Sequence, residues 1–155
     1  MTEYRIVPLC GSLAEAAARM ESECFGEKIT AEALSRFADA PANHYFCAVG
    51  ADGDLLGYGG ISLVADEAEI ITVAVSPVYR RRGIARALME HMLCLAADAG
   101  AAVYLEVRAS NIPARELYRV LGFAETGMRK NYYSAPREDA VLMMRPAGAQ
   151  ETLLC

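Results

Sequence analysis

Residues 73–86 read Val73-Ala74-Val75-Ser76-Pro77-Val78-Tyr79-Arg80-Arg81-Arg82-Gly83-Ile84-Ala85-Arg86, and this stretch decides the fold. An apolar strand ends at Ser76-Pro77, and a helix begins past Gly83. The first turn of a helix leaves backbone N–H groups without intrahelical partners, and the macrodipole adds about half a positive charge there. Phosphate groups bind such ends readily. Gly83 lets a ligand approach the backbone, Ala85 keeps the adjoining surface small, and Arg80, Arg81, Arg82 and Arg86 supply charge suited to a diphosphate. With one glycine, the turn is neither a Walker A loop nor a dinucleotide fingerprint. Read alone, three consecutive arginines also fit an ordinary solvated turn.

Working outward, residues 70–75 are almost wholly apolar and partly β-branched, as suits a central strand covered on both faces. Beyond Gly83, residues Ile84, Leu88, Met92 and Leu95 form one stripe of a helix that Gly100 ends in the left-handed conformation. Residues 101–108 are the next strand, with Val103, Leu105 and Val107 on one face and Tyr104, Glu106 and Arg108 on the other. Strand, crossover helix and strand make a parallel, right-handed βαβ unit. Asn111 caps a further helix, with Pro113 in its first turn, running through Leu117, Tyr118 and Leu121 to Gly122. Residues 123–133 and 140–145 read as two more strands. On the N-terminal side, residues 4–9 form a short strand. Ser12 and Glu15 have the spacing of a capping box for a helix to about residue 24. Thr30 caps a second helix through about residue 38, with Ala33, Leu34 and Phe37 on one face and Pro41 closing it. Residues 44–49 and 55–64 read as a hairpin around Asp52-Gly53, and Asp66-Glu67 marks the next reversal.

The chain has 155 residues, 54% hydrophobic and 23% charged, which fits one globular domain over residues 1–146 with a flexible tail at 147–155. A net charge of −5 argues against general nucleic-acid affinity and is compatible with a basic substrate. The first residues carry Glu3 and Arg5 and lack a signal-length apolar core, and no stretch approaches a membrane span, so a cytoplasmic location is expected. Cys10, Cys24, Cys47, Cys94 and Cys155 are widely spaced without a C-x-x-C pair, which reads as free thiols in a reducing compartment. His44 and His91 have no third ligand near them in sequence, so no metal site is expected. No serine lies in a nucleophile-elbow pattern, which points to direct transfer without a covalent enzyme intermediate.

Glu106 interrupts an otherwise buried strand beside the anion-binding turn. A carboxylate so placed can accept a proton from an amine or an ordered water. The alternative is a structural ion pair with Arg108 or another arginine. Tyr118 lies seven residues beyond Asn111 on the following helix. Its phenol, protonated at neutral pH, can donate to a departing thiolate. It equally fits a core aromatic with a surface-reaching hydroxyl.

Together these residues resemble the GNAT superfamily of acyl-CoA-dependent N-acetyltransferases, whose Q/R-x-x-G-x-G/A motif stands here as Arg80-Arg81-Arg82-Gly83-Ile84-Ala85. Within it, E-A-E-I-I-T-V-A-V-S-P, Y-L-E-V-R-A-S-N, L-Y-R-V-L-G-F, and R-K-N-Y-Y followed by R-E-D-A-V-L-M are similar to the RimI type, which acetylates the N-terminal alanine of a small-subunit ribosomal protein. The likeness is strong over residues 67–145 and looser before them. It implies an α+β fold: a mixed, mostly antiparallel sheet with a parallel βαβ acetyl-CoA-binding core and helices on both faces. It further implies that Val73, Ala74 and Val75 offer backbone groups to the pantetheine arm where two central strands splay apart. Arg81, Arg82, Gly83, Ile84, Ala85 and Arg86 would hold the pyrophosphate, and Asn111 would contact the cofactor. The resemblance makes Glu106 the general base and Tyr118 the general acid, with Tyr132, Tyr133 and Glu27 on the acceptor side. Backbone N–H groups at a strand bulge would meet the oxyanion. Partners implied are acetyl-CoA and the N-terminus of a ribosomal or other protein. One departure concerns the acceptor: where the RimI type carries Pro-Trp-Ser/Thr, this chain has Phe25-Gly26-Glu27 and no tryptophan. A GNAT acting on lysine, a polyamine or another small amine, and a non-catalytic acyl-CoA-binding module, therefore stay open at this point.

Overall fold

The computed structural model describes residues 3–149. In chain order the elements are β1 (Tyr4–Pro8), α1 (Gly11–Phe25), α2 (Ala31–Asp39), β2 (Asn43–Gly50), β3 (Leu55–Val64), β4 (Glu67–Val75), a 3₁₀ turn (Pro77–Tyr79), α3 (Ile84–Asp98), β5 (Ala102–Arg108), α4 (Ile112–Val120), β6 (Ala124–Tyr133) and β7 (Glu138–Arg145). The strands form one seven-stranded sheet in the order β1-β2-β3-β4-β5-β7-β6. Every pairing is antiparallel except β4 with β5, which α3 connects. The expected mixed α+β architecture is present.

Side-chain alternation assigns each helix pair to a face. Val103, Leu105 and Val107 of β5 are buried with Met89, Met92, Leu93 and Ala96 of α3, and Leu117 and Tyr118 of α4 pack against the same cluster. On the opposite face Ala17, Ala18 and Met20 of α1 and Leu34 of α2 meet Tyr45, Tyr58 and Ala74. α3 buries a wider face than the single expected stripe: Met89, Leu93 and Ala96 join Ile84, Leu88 and Met92, while Leu95 is only partly buried. α2 buries less than expected, with Leu34 enclosed and Phe37 52% exposed.

The caps divide similarly. Thr30 Oγ1 accepts from Ala33 N at 3.0 Å and Asn111 Oδ1 from Ala114 N at 3.3 Å, as their spacing predicts. Ser12 does not cap α1. The N-cap is Cys10, with no side-chain bond to the helix, and the Ser12 hydroxyl lies 3.2 Å from Cys10 Sγ, inside the first turn. Cys10, Cys24 and Cys47 are free thiols, as expected, whereas Cys94 is disulfide-bonded. Pairing depends on separation in space, which isolated cysteines do not encode in sequence. Of the expected tail, residues 147–149 follow β7 in a turn and residues 150–155 lie outside the described residues.

Three glycines in β3 set how closely the layers approach. A Cβ on Gly57 would lie 2.9 Å from Ala74 O and 3.1 Å from Ile84 Cγ2, and one on Gly59 would lie 2.9 Å from Met92 Cε. On the other face a Cβ on Gly60 would lie 2.5 Å from Tyr45 Cε2. Tyr45 is 7% exposed and stacks with Tyr58 at 6.4 Å between centroids, so the ring has little room to retreat. Gly60→Ala should therefore cost about 1–3 kcal/mol, the usual range for overpacking a filled core, read as a lower urea midpoint at unchanged slope.

Candidate active site

β4 and β5 run together for only three residue pairs, Glu67–Ala102, Ala68–Val103 and Glu69–Tyr104. Beyond them β4 keeps β3, with Thr72 opposite Gly60 and Val75 opposite Gly57, while β5 keeps β7, with Glu106 opposite Leu142. The two strands thus part in mid-sheet, and their facing edges have no strand partner. A bulge shapes the β4 edge. Gly60 and Ile61 are consecutive in β3 but pair with Thr72 and Ile70, leaving Ile71 as the extra residue. Ile71 is 41% exposed, and past it the alternation changes sides: Ala68, Ile70 and Val73 face α3, whereas Thr72 and Ala74 face α1.

Val73, Ala74 and Val75 all stand on the parted edge. The Val75 carbonyl is already engaged, accepting from Arg80 Nε at 3.3 Å and Cys24 Sγ at 3.6 Å. Arg80 therefore braces the strand end. Arg82 lies 5.5 Å over the Tyr79 ring, and Arg86 pairs with Glu90 at 2.6 Å. Arg81 has φ +64° and Gly83, the N-cap of α3, φ +78° with no side-chain cap. Left-handed residues in such a turn aim backbone N–H groups into a shared concavity that favours anions. A Cβ on Gly83 would touch nothing within 4 Å, so the backbone conformation is what calls for glycine there, and space remains in front of it. Ile84, 1% exposed, anchors the first turn against β3. Asn111, the α4 cap, is exposed, with its side-chain oxygen committed to Ala114 N.

Glu106 lines a cleft of about 240 Å³ with Glu69, Tyr104, Leu105, Thr126, Arg129, Leu142 and Met143. It points away from the α3 face and is partly buried. Arg108, the alternative partner, pairs with Glu138 at 3.4 Å, donates to Pro136 O at 2.9 Å, and lies 4.5 Å over the Tyr133 ring. Among the described residues Glu106 forms no ion pair. Its carboxylate instead acts on the Tyr132 phenol, whose pKa it raises. Burial, then the charge of Glu106, pushes Tyr133 up to about 12. Burial, then Tyr133, pushes Tyr118 up to about 12. The Tyr132 and Tyr133 rings meet edge to face at 5.0 Å. Glu106, Tyr132, Tyr133 and Tyr118 thus form one electrostatically connected group. Glu27 stands apart: it is exposed in the α1–α2 connection and is not among the residues lining this cleft.

The sequence reading did not find Glu69, Tyr104, Thr126 or Arg129 in the cleft. Glu69 carries a usable signal, a charge within the apolar β4 run, whereas Thr126 and Arg129 arrive from β6 two strands away. Among the described residues no group of three or more His, Cys, Asp or Glu is placed to hold a metal, and no helix is long and apolar enough to cross a membrane.

The acetyltransferase (GNAT) family profile matches residues 14–123. The chain belongs to the GNAT family. It is 39% identical to the N-alpha-acetyltransferase RimI of Mycobacterium tuberculosis over 143 residues, 87% of each chain. It is 43% identical to the [ribosomal protein bS18]-alanine N-acetyltransferase of Escherichia coli over 98 residues, 61% of this chain and 66% of that one. The crystal structure of the Escherichia coli ribosomal-protein-S18-alanine N-acetyltransferase superposes with a TM-score of 0.84 at 31% identity, covering 99% of each chain. This protein is accordingly an N-acetyltransferase whose acetyl donor is acetyl-CoA. The donor fits what the GNAT site presents: an anion-seeking turn before α3 and a partnerless strand edge beside it.

The raised tyrosines give this enzyme a defined alkaline limit. Tyr118 and Tyr133 move from an ordinary 10.0 to about 12, so the folded state holds their protons more tightly than the unfolded chain. Their contribution is complete below about pH 10 and is lost as pH rises through about 12. Urea midpoints should hold steady from pH 8 to 9.5 and fall above pH 10, less steeply in Tyr118→Phe.

Proposed function

We propose that this enzyme acetylates the N-terminal α-amino group of a protein, with an alanine-starting ribosomal protein as its acceptor in the cytoplasm. The observation that carries the reading is the Glu106 carboxylate at the parting of β4 and β5, lining a cleft large enough for a chain end. The names of its RimI relatives support the alanine acceptor.

Acetyl-CoA supplies an activated acetyl carbonyl and a thiol leaving group. In the proposed reaction the backbone amides before α3, with Arg81, Arg82 and Arg86 around them, hold the pyrophosphate, and the edge at Val73 and Ala74 aligns the pantetheine arm. Asn111 contacts the same ligand from the mouth of α4. Glu106, directly or through one water, takes a proton from the acceptor ammonium or from the attacking amine, and the nitrogen bonds to the acetyl carbon. Backbone N–H groups around the Ile71 bulge face the carbonyl oxygen as charge develops on it. The carbon–sulfur bond breaks, and Tyr118 donates its phenolic proton to the sulfur. A phenol pushed up to about 12 remains protonated at neutral pH and is available for that step. An α-amine has an ordinary pKa near 8 against about 10.4 for lysine, so one carboxylate deprotonates it with less assistance. Tyr132 and Tyr133 flank the acceptor, and Glu27, exposed in the α1–α2 connection and outside the cleft, meets a basic residue further along it.

Coenzyme A release should be clear with an alanine-starting basic peptide and absent with its N-blocked, lysine-containing counterpart. Glu106→Gln and Tyr118→Phe should each lower kcat by about 10²-fold or more while leaving acetyl-CoA affinity within about twofold. Turnover of the blocked peptide would move the acceptor to lysine, and parent rates in both variants would remove the two assigned roles.

A further inference from the structure

Outside the cleft, a second polar cluster joins α1 to the parted strand. Glu21 sits in the penultimate turn of α1, half-buried beneath the sheet. Its Oε1 accepts a hydrogen bond from the Tyr58 hydroxyl on β3 and another, at 3.1 Å, from Thr72 Oγ1 on β4. Tyr58 is 1% exposed and its Cα partner across the ladder is Ala74, so both donors converge from adjacent strands on one oxygen. Thr72 is the residue immediately after the bulged Ile71. Its side chain points to α1 only because the bulge changes the alternation. One turn later, Cys24 Sγ reaches Val75 O, so α1 holds the partnerless β4 edge at its middle and at its end.

We infer that Glu21 is a positioning residue for the transfer reaction, fixing through Thr72 the backbone of β4 at the Ile71 bulge. The inference rests on the proposed reading of the parted edge as the acetyl site. Ordinarily a neighbouring strand would define where the amides of residues 71–74 point, and here none does on one side. The carboxylate supplies the missing constraint from below. Burial raises the Glu21 pKa while the two hydrogen bonds oppose it, which is the balance of a carboxylate retained for its contacts. A merely structural tie would predict a different pattern: lost stability and an unaltered rate per folded molecule.

Thr72→Val keeps the volume and removes the hydroxyl, and Thr72→Ser restores it; Glu21→Gln keeps an accepting oxygen, and Glu21→Ala does not. With the alanine-starting peptide, Thr72→Val and Glu21→Ala should lower kcat about tenfold or more, a loss consistent with misplacement by less than an ångström, with KM for acetyl-CoA within about twofold. Thr72→Ser and Glu21→Gln should recover most of the rate. Parent kcat in folded Thr72→Val, or equal losses in the valine and serine variants, would overturn the inference. Amide hydrogen exchange without any acceptor provides an independent decision. Exchange at residues 71–74 should quicken in Thr72→Val and Glu21→Ala while residues 84–98 stay unchanged, and unaltered exchange at 71–74 overturns the inference. If the parent itself turns over no α-amine, the proposed acceptor falls and the exchange result still decides the role of Glu21.

Discussion

The structure depends on two parallel strands being joined for three residue pairs and then held apart. A buried backbone amide or carbonyl without a partner costs about 1–3 kcal/mol, so a sheet does not open in its middle without compensation. Here each strand is fully supported on its outer side: β3 follows β4 to Val75, and β7 follows β5 to Arg108. Placing β7 between β5 and β6 matters for this reason. It holds β5 from the far side and leaves nothing to draw β5 back toward β4. The facing edges in the gap then lack a strand partner, and a ligand that carries amides of its own suits them. A pantetheine arm has that chemistry, which links the sheet defect to the donor of the GNAT family.

Packing keeps the gap from closing by collapse of the layers. Ile84, Leu88 and Met92 of α3 lie directly on Gly57 and Gly59, where any side chain would stand in the way. The helix whose N-terminus is proposed to hold the diphosphate is therefore seated by the absence of side chains on β3. The same strand admits Tyr45 at Gly60 on the opposite face. Anion site, sheet and acceptor-side core thus meet on one short Gly-Tyr-Gly-Gly segment, residues 57–60, and a change of contact on either face shifts the others.

What was legible in the sequence was what local chemistry dictates. Alternation over residues 102–108 placed Glu106 opposite the buried Val103, Leu105 and Val107, and Thr30 and Asn111 capped the helices that their spacing announced. Ser12 misled because a hydroxyl near a helix start looks the same at the cap position as two residues into the helix, and only the chain's exit from β1 decides between them. Phe37 misled because amphipathic spacing names a face without saying how much of it the sheet covers. The alternative Glu106–Arg108 ion pair does not form, for a related reason. Both project from one face of β5, but Arg108 has Glu138 and the 134–136 carbonyls within reach across β7, and it is drawn there. The Glu21–Tyr58–Thr72 cluster had no local signature: its members come from three elements, and the bulge that turns Thr72 inward is a property of strand register. The resemblance supplied the splay and the two catalytic assignments, which periodicity alone does not contain.

The two faces of the sheet also bear on the proposed direct transfer. Glu106 and Thr72 look toward the α1 side, whereas Tyr118 approaches from the α4 side and shares a cluster with α3. The proposed base on one face and the proposed acid on the other are separated by the sheet everywhere except where β4 and β5 part. In the proposed reaction the amine therefore loses its proton on one side of the gap, and the sulfur gains one on the other. The bond that forms and the bond that breaks share a single carbon held between them. The proton acceptor and the proton donor need never exchange with each other, although Tyr133 couples them electrostatically. Burial raises the phenol to about 12 on the α4 side, while the carboxylate on the open side keeps a cleft that an incoming chain end can enter. In that proposal nucleophile, thioester and leaving group are ordered by the architecture of the gap, and holding them together supplies much of the acceleration.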